Sequence, residues 1–143
     1  MIYFKQKEKN MNNYIELLKR NQIKVTPQRL AIVELMDRNG HISVRDIFSK
    51  IQENFPSLSL ATVYKNINAM VETSFIKELK IVGQDAKYEL SKEEHSHMIC
   101  KECGKVEDII LETEAIVSSA AKISHYAIDE SSIQLFGVCP ACS

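Results

Sequence analysis

Two groups of side chains in this 143-residue sequence have the types and spacing to hold metal ions. The first is sulfur. All four cysteines fall in the last third of the chain as two Cys-x-x-Cys pairs, Cys100/Cys103 and Cys139/Cys142. Two turns that each present two thiolates can close a tetrahedral site, because Zn2+ accepts four sulfur ligands and then keeps no open position. The gap between the pairs, 35 residues, is longer than ordinary zinc-finger spacing, so the ligands must meet through tertiary structure. A structural zinc is expected there. The competing chemistry is a redox dithiol or disulfide switch, but a thioredoxin-like pair belongs in a βαβ setting that neither pair has.

The second group is imidazole and carboxylate: Glu89, His95, His97 and Asp108, with His41 far back in the chain. On a strand, His95-x-His97 puts both rings on one face, since side chains alternate with a period of two. Glu89 and Asp108 can add oxygens from neighbouring segments. A mixed nitrogen and oxygen site suits Fe2+ or Mn2+, and zinc also binds such sets. His125 has no comparable neighbours and reads as structural or surface.

The first half reads as short helices. Asn12 or Asn13 can cap the first, which carries Tyr14, Ile15, Leu17 and Leu18. Thr26-Pro27 is a sharper start, a hydroxyl cap followed by proline at the first helical position. Leu30, Val33 and Met36 then share a face, and Asn39-Gly40 ends the helix. Ser43 begins a third helix with Asp46 three residues on. Ile47, Phe48 and Ile51 form its apolar face, and Pro56 stops it. Ser59 caps a fourth helix, in which Leu60, Val63, Ile67, Met70 and Val71 make one stripe. After it, residues 75–90 read as two short strands around Gly83-Gln84-Asp85. Three helices, an amphipathic fourth and a hairpin make a winged helix-turn-helix.

Past Leu90 the pattern becomes strand, strand, helix, strand, with Cys103-Gly104 in a knuckle-like turn and a last strand delivering Cys139. The fold class expected is α+β: an N-terminal winged helix-turn-helix domain over residues 1–86 and a small α+β domain over 87–143.

Residues 1–80 hold 13 Lys and Arg against 8 Asp and Glu, whereas residues 81–143 hold 5 against 11. A basic half joined to an acidic half suggests that only the first meets a polyanion. The outer side of the fourth helix, with Ala61, Thr62, Lys65 and Asn68 and with Tyr64 on its border, can lie in a major groove. Lys24 and Arg29 add positive charge nearby. The alternative is a polar face that is merely solvated. No apolar run is long enough for a signal peptide or a membrane span, so a cytoplasmic protein without membrane contact is expected. In a reducing compartment, Cys-x-x-Cys pairs read as metal ligands before disulfides.

Together these stretches resemble the ferric uptake regulator (Fur) family of bacterial metal-dependent repressors, from about Asn12 to Ser143. The matching segments are Val25-Thr26-Pro27-Gln28-Arg29, Leu60-Ala61-Thr62-Val63-Tyr64-Lys65, His95-x-His97-x-x-Cys100-x-x-Cys103-Gly104-Lys105-Val106 and Gly137-Val138-Cys139-x-x-Cys142. The resemblance implies a homodimer that binds a double-stranded DNA operator, with the C-terminal domain dimerising. It also implies a structural zinc held by all four cysteines and a regulatory Fe2+ or Mn2+ on His41, Glu89, His95, His97 and Asp108. Asp108 is typical of the peroxide-responsive (PerR) branch, whereas Glu89 looks more like the iron-responsive one. The expectation is a repressor that senses hydrogen peroxide through iron-catalysed oxidation of His41 or His95. The alternative is an iron- or other metal-responsive uptake regulator.

A further family metal site uses a histidine where this chain has Ser131, and Ser96 stands between His95 and His97, so no third site is expected. The tail before Met11 exceeds the family's usual start: either Met11 is the initiator or the tail adds a DNA contact. An enzyme is not expected, because five protein ligands leave little room for substrate and water.

Overall fold

The computed structural model describes residues 11–143, and the tail before Met11 lies outside the described residues. The chain divides into two compact units, the first ending at Lys92 and the second running from Glu93 to Ser143. The strand Lys87–Leu90 pairs within the first unit, which carries the division past residue 86, where the sequence pattern placed it.

Local chemistry sets the helices of the first unit. Thr26 is extended, and its hydroxyl accepts from the Arg29 N–H at 3.2 Å; Pro27 then opens α2 (Pro27–Asn39). Gly40, at φ +72°, ends it by donating to the Met36 carbonyl at 2.9 Å, a backbone state that a β-carbon would strain. Ser43 caps α3 (Val44–Ile51): its Oγ accepts from the Asp46 N–H at 3.1 Å and donates to the Asp46 carboxylate at 2.9 Å. Ser59 caps α4 (Leu60–Glu72) by accepting from the Thr62 N–H at 3.1 Å. α1 (Met11–Arg20) is already helical at Met11, so Asn12 and Asn13 lie in its first turn and not at its cap.

One apolar core joins these helices. Leu18, Ile32, Val33, Met36, Ile47, Val63, Ile67 and Met70 are almost wholly buried in it. Leu60 departs from the expected stripe and is exposed at the first turn of α4. The wing is a three-stranded antiparallel sheet of β1 (Ile42–Ser43), β2 (Ile76–Leu79) and β3 (Lys87–Leu90), in the order β1-β3-β2. β1 was not anticipated: two residues are too few to show a periodicity.

The second unit is a sheet of β4 (Ser96–Cys100), β5 (Val106–Ile109) and β6 (Gln134–Gly137), with α5 (Glu114–Ser124) between the last two in sequence. β4 is central, antiparallel to β5 and parallel to β6. Among its described residues only Ile99 and Cys100 are buried hydrophobics, and α5 buries none of its residues. The architecture is α+β throughout, as the pattern of elements implied.

Candidate metal centres and nucleic-acid interface

β4 ends at Cys100, and the chain turns back at once. Gly104, at φ +75°, donates to the Cys100 carbonyl at 3.0 Å, which brings Cys103 back toward Cys100. The second pair lies on a similar turn, where the Cys142 N–H reaches the Cys139 carbonyl at 3.0 Å. The parallel pairing of β4 with β6 joins the two turns: Lys101 N–H bonds the Gly137 carbonyl at 2.8 Å, and Cys139 N–H bonds Cys100 Sγ at 3.3 Å. The four sulfurs lie within 4.8 Å of one another, with Cys103 and Cys139 at 3.9 Å. Sulfurs about 2.3 Å from one tetrahedral Zn2+ would be about 3.8 Å apart, so the set fits that ion. Backbone N–H groups of Cys103 and then Cys139 draw the Cys100 thiol down to about 6. Hydrogen bonds with Cys139 and Cys103 push the Cys142 thiol up to about 12. The four thiols share hydrogen bonds and compete for protons, and a divalent cation is the group that lets all four ionise.

Within the same unit, His95, His97 and Asp108 converge. His97 stands directly opposite Asp108 in the β4–β5 ladder. His95, one residue before β4, brings its Nε2 within 3.0 Å of His97 Nε2, as expected for two rings on one face. The Asp108 Oδ1 atom lies 3.4 Å from the first nitrogen and 3.6 Å from the second. Both imidazoles are buried, while Asp108 keeps an exposed edge. His95 Nδ1 is 2.7 Å from the Glu93 carbonyl, which can only accept, so the ring proton of the neutral form sits there and Nε2 presents its lone pair. Two nitrogens about 2.1 Å from one metal at right angles would be about 3.0 Å apart, which is the spacing of this pair.

The first unit holds the other two candidates as a pair. His41 Nε2 lies 2.6 Å from Glu89 Oε2, and both side chains are buried. His41 immediately precedes β1, and Glu89 lies on β3, the strand that pairs with β1. A buried carboxylate needs a hydrogen-bonding or positive partner, and the Lys92 ammonium lies 4.0 Å from the same Glu89 oxygen. His125 is exposed in a left-handed turn, where its N–H caps α5 on the Ala121 carbonyl at 2.8 Å. Ser131 lines a cavity of about 610 Å³ with Glu94, Ser96, Glu112 and Glu114.

On α4, Ala61, Thr62, Tyr64, Lys65 and Asn68 are all exposed, opposite buried Val63, Ile67 and Met70, and Lys24 is exposed as well. Arg29 is different: its half-buried guanidinium is engaged by Asn66 and by the Lys24 carbonyl. Asn66 carried no sequence signal as a partner, since it lies 37 residues from Arg29.

The model of the ferric uptake regulator family matches residues 20–136. The chain belongs to the ferric uptake regulator family. It is 31% identical over 131 residues to the peroxide operon regulator of Bacillus subtilis strain 168, covering 90% of each chain. By structure it is similar to the ferric uptake regulator Fur of Helicobacter pylori, described as having three functional metal-binding sites: the TM-score is 0.76 at 27% identity, over 97% of each chain. It also matches a zinc uptake regulator complexed with zinc and DNA, with a TM-score of 0.72 at 26% identity, over 92% of this chain and 91% of that one. Members of the family are metal-responsive transcription regulators, and this chain carries both the four-cysteine group and His, Asp and Glu metal-binding groups. Its relatives are regulators and not enzymes. No helix among the described residues is long and apolar enough to cross a membrane.

Proposed function

We propose that this protein is a metal-dependent repressor that binds double-stranded DNA as a homodimer in the cytoplasm and is inactivated by hydrogen peroxide. The observation that carries the sensing role is the trio of His95, His97 and Asp108, whose donor atoms face one another at metal-ligand spacing. His41 and Glu89, a buried donor pair of complementary type, complete a five-residue regulatory set for Fe2+ or Mn2+. Cys100, Cys103, Cys139 and Cys142 hold a structural zinc.

The peroxide assignment draws on the likeness to the Bacillus peroxide operon regulator and on Asp108 as the carboxylate of the trio. The five residues would hold Fe2+, which would catalyse one-oxygen transfer from hydrogen peroxide to a ligand imidazole with no net change in the iron. A ring carbon of His41 or His95 then gains one oxygen, a two-electron oxidation matched by reduction of the peroxide's second oxygen to water. An oxidised ring no longer offers the same nitrogen lone pair, so the set loses a ligand and its hold on the ion. The exposed outer side of α4 supplies the groove-reading face, with Lys65 and Lys24 for phosphates. Ile116 and Ile123, seven residues apart on one side of α5, are exposed to water and suit contact with a second copy of the chain.

The test is mass spectrometry of Fe2+-loaded and Mn2+-loaded protein after hydrogen peroxide. A one-oxygen gain on the peptide holding His41 or His95, with iron only, is the expected result. If neither sample changes while iron still controls DNA binding, the protein is an iron-responsive uptake regulator, a reading that the likeness to the Helicobacter regulator favours.

A further inference from the structure

Arg29 sits in the first turn of α2, and its type alone makes it a phosphate-binding candidate. Its guanidinium is turned into the protein instead. Nε donates to Asn66 Oδ1 at 3.0 Å, and Nη1 donates to the Lys24 carbonyl at 3.2 Å. Asn66 is itself fixed, because its Nδ2 donates to the Thr62 carbonyl one turn back at 3.0 Å. That leaves Oδ1 as the atom facing Arg29. Thr62 belongs to the α4 cap: its N–H donates to Ser59 Oγ at 3.1 Å, and the two hydroxyls lie 2.9 Å apart. A continuous polar chain therefore runs from the loop before α2 to the start of α4.

This chain supplies what the core lacks. Burial of Val63, Ile67 and Met70 holds α4 to the core, but apolar attraction is non-directional and tolerates small rolls about the helix axis. Hydrogen bonds from a planar guanidinium are directional at both ends. The residues whose aim they fix, Thr62 and Lys65, flank Asn66 on the exposed side of α4, and the other end of the clamp is the backbone of Lys24 itself.

We propose that Arg29 is a positioning residue for DNA reading: its guanidinium clamps Asn66 and the Lys24 carbonyl, setting the roll of α4 and the place of Lys24 without itself touching DNA. The inference rests on the DNA-binding role proposed above. Arg29→Lys keeps the charge but cannot span both acceptors as a planar fork does.

The test uses full-length, metal-loaded protein, a duplex that the wild type selects from a randomised pool, and a shuffled duplex of equal length. Arg29→Lys is expected to lose about tenfold in affinity for the selected duplex, while its binding to the shuffled duplex and its salt dependence stay unchanged. Asn66→Ala is expected to lose a similar factor, and the double variant no more than either single one. Without DNA, amide exchange over residues 61–66 is expected to rise in Arg29→Lys, with α2 unaffected. The clamp is overturned if Arg29→Lys binds both duplexes like the wild type, if the two losses add, or if the salt slope drops by about one phosphate contact. A wild type that selects no duplex overturns the DNA-binding role instead, so the two failures are distinguishable.

Discussion

The two units of this protein are held together in different ways. The first packs four helices and a small sheet around a continuous apolar core, with Ile32, Val33, Ile47, Val63, Ile67 and Met70 fully excluded from water. The second buries little more than Ile99 and Cys100 among its described hydrophobics and leaves every residue of α5 at least partly exposed. A unit of that size cannot rely on apolar burial alone, since small domains bury too little surface to offset chain entropy. Beyond its β-sheet hydrogen bonds, the four sulfurs and the exposed isoleucines of α5 are the features it offers for further stabilisation by bound groups. The contrast teaches that the first unit is a conventional core-stabilised domain, while the second is expected to lean on the zinc and the second copy proposed above.

The largest expected effect breaks that contrast at the sulfurs. Cys100→Ser removes a ligand whose site would contribute more than about 5 kcal/mol to folding of the second unit. Hydrogen exchange should show β4, β5 and β6 losing protection while α2–α4 keep theirs, with zinc lost by metal analysis. Retained protection without zinc would show that the second unit has a sufficient core of its own. The converse change is Ile67→Ala, which should cost about 2–5 kcal/mol in denaturant melts of the first unit and leave the zinc in place. The smallest effect falls on the exposed isoleucines of α5. Ile123 is 80% exposed, so Ile123→Glu should leave the fold of the protomer intact and weaken self-association at least tenfold, about 1.4 kcal/mol, in sedimentation. An unchanged dimer would mean that a different surface joins the copies.

What the sequence made legible follows from how local each signal is. Thr26, Ser43 and Ser59 each close a hydrogen bond to a backbone N–H three residues away, so their caps are written within one turn. The candidate metal ligands were legible by type, since thiols and imidazoles in pairs have few bland uses. Strand β1 was hidden because its two residues acquire meaning only opposite Tyr88 and Lys87. The engagement of Arg29 was hidden because its partner is a neutral side chain on another helix. The exposure of Leu60 was hidden because periodicity gives a face but not where the core ends.

The brevity of β1 has a mechanical consequence. Only Ile42 separates His41 from Ser43, and Ser43 is at once the last rung of the ladder and the cap of α3. There is no slack in that stretch to absorb a displacement. If His41 takes up or releases a metal as proposed above, its displacement should reach the start of α3 through Ile42 and the Ser43–Asp46 bonds.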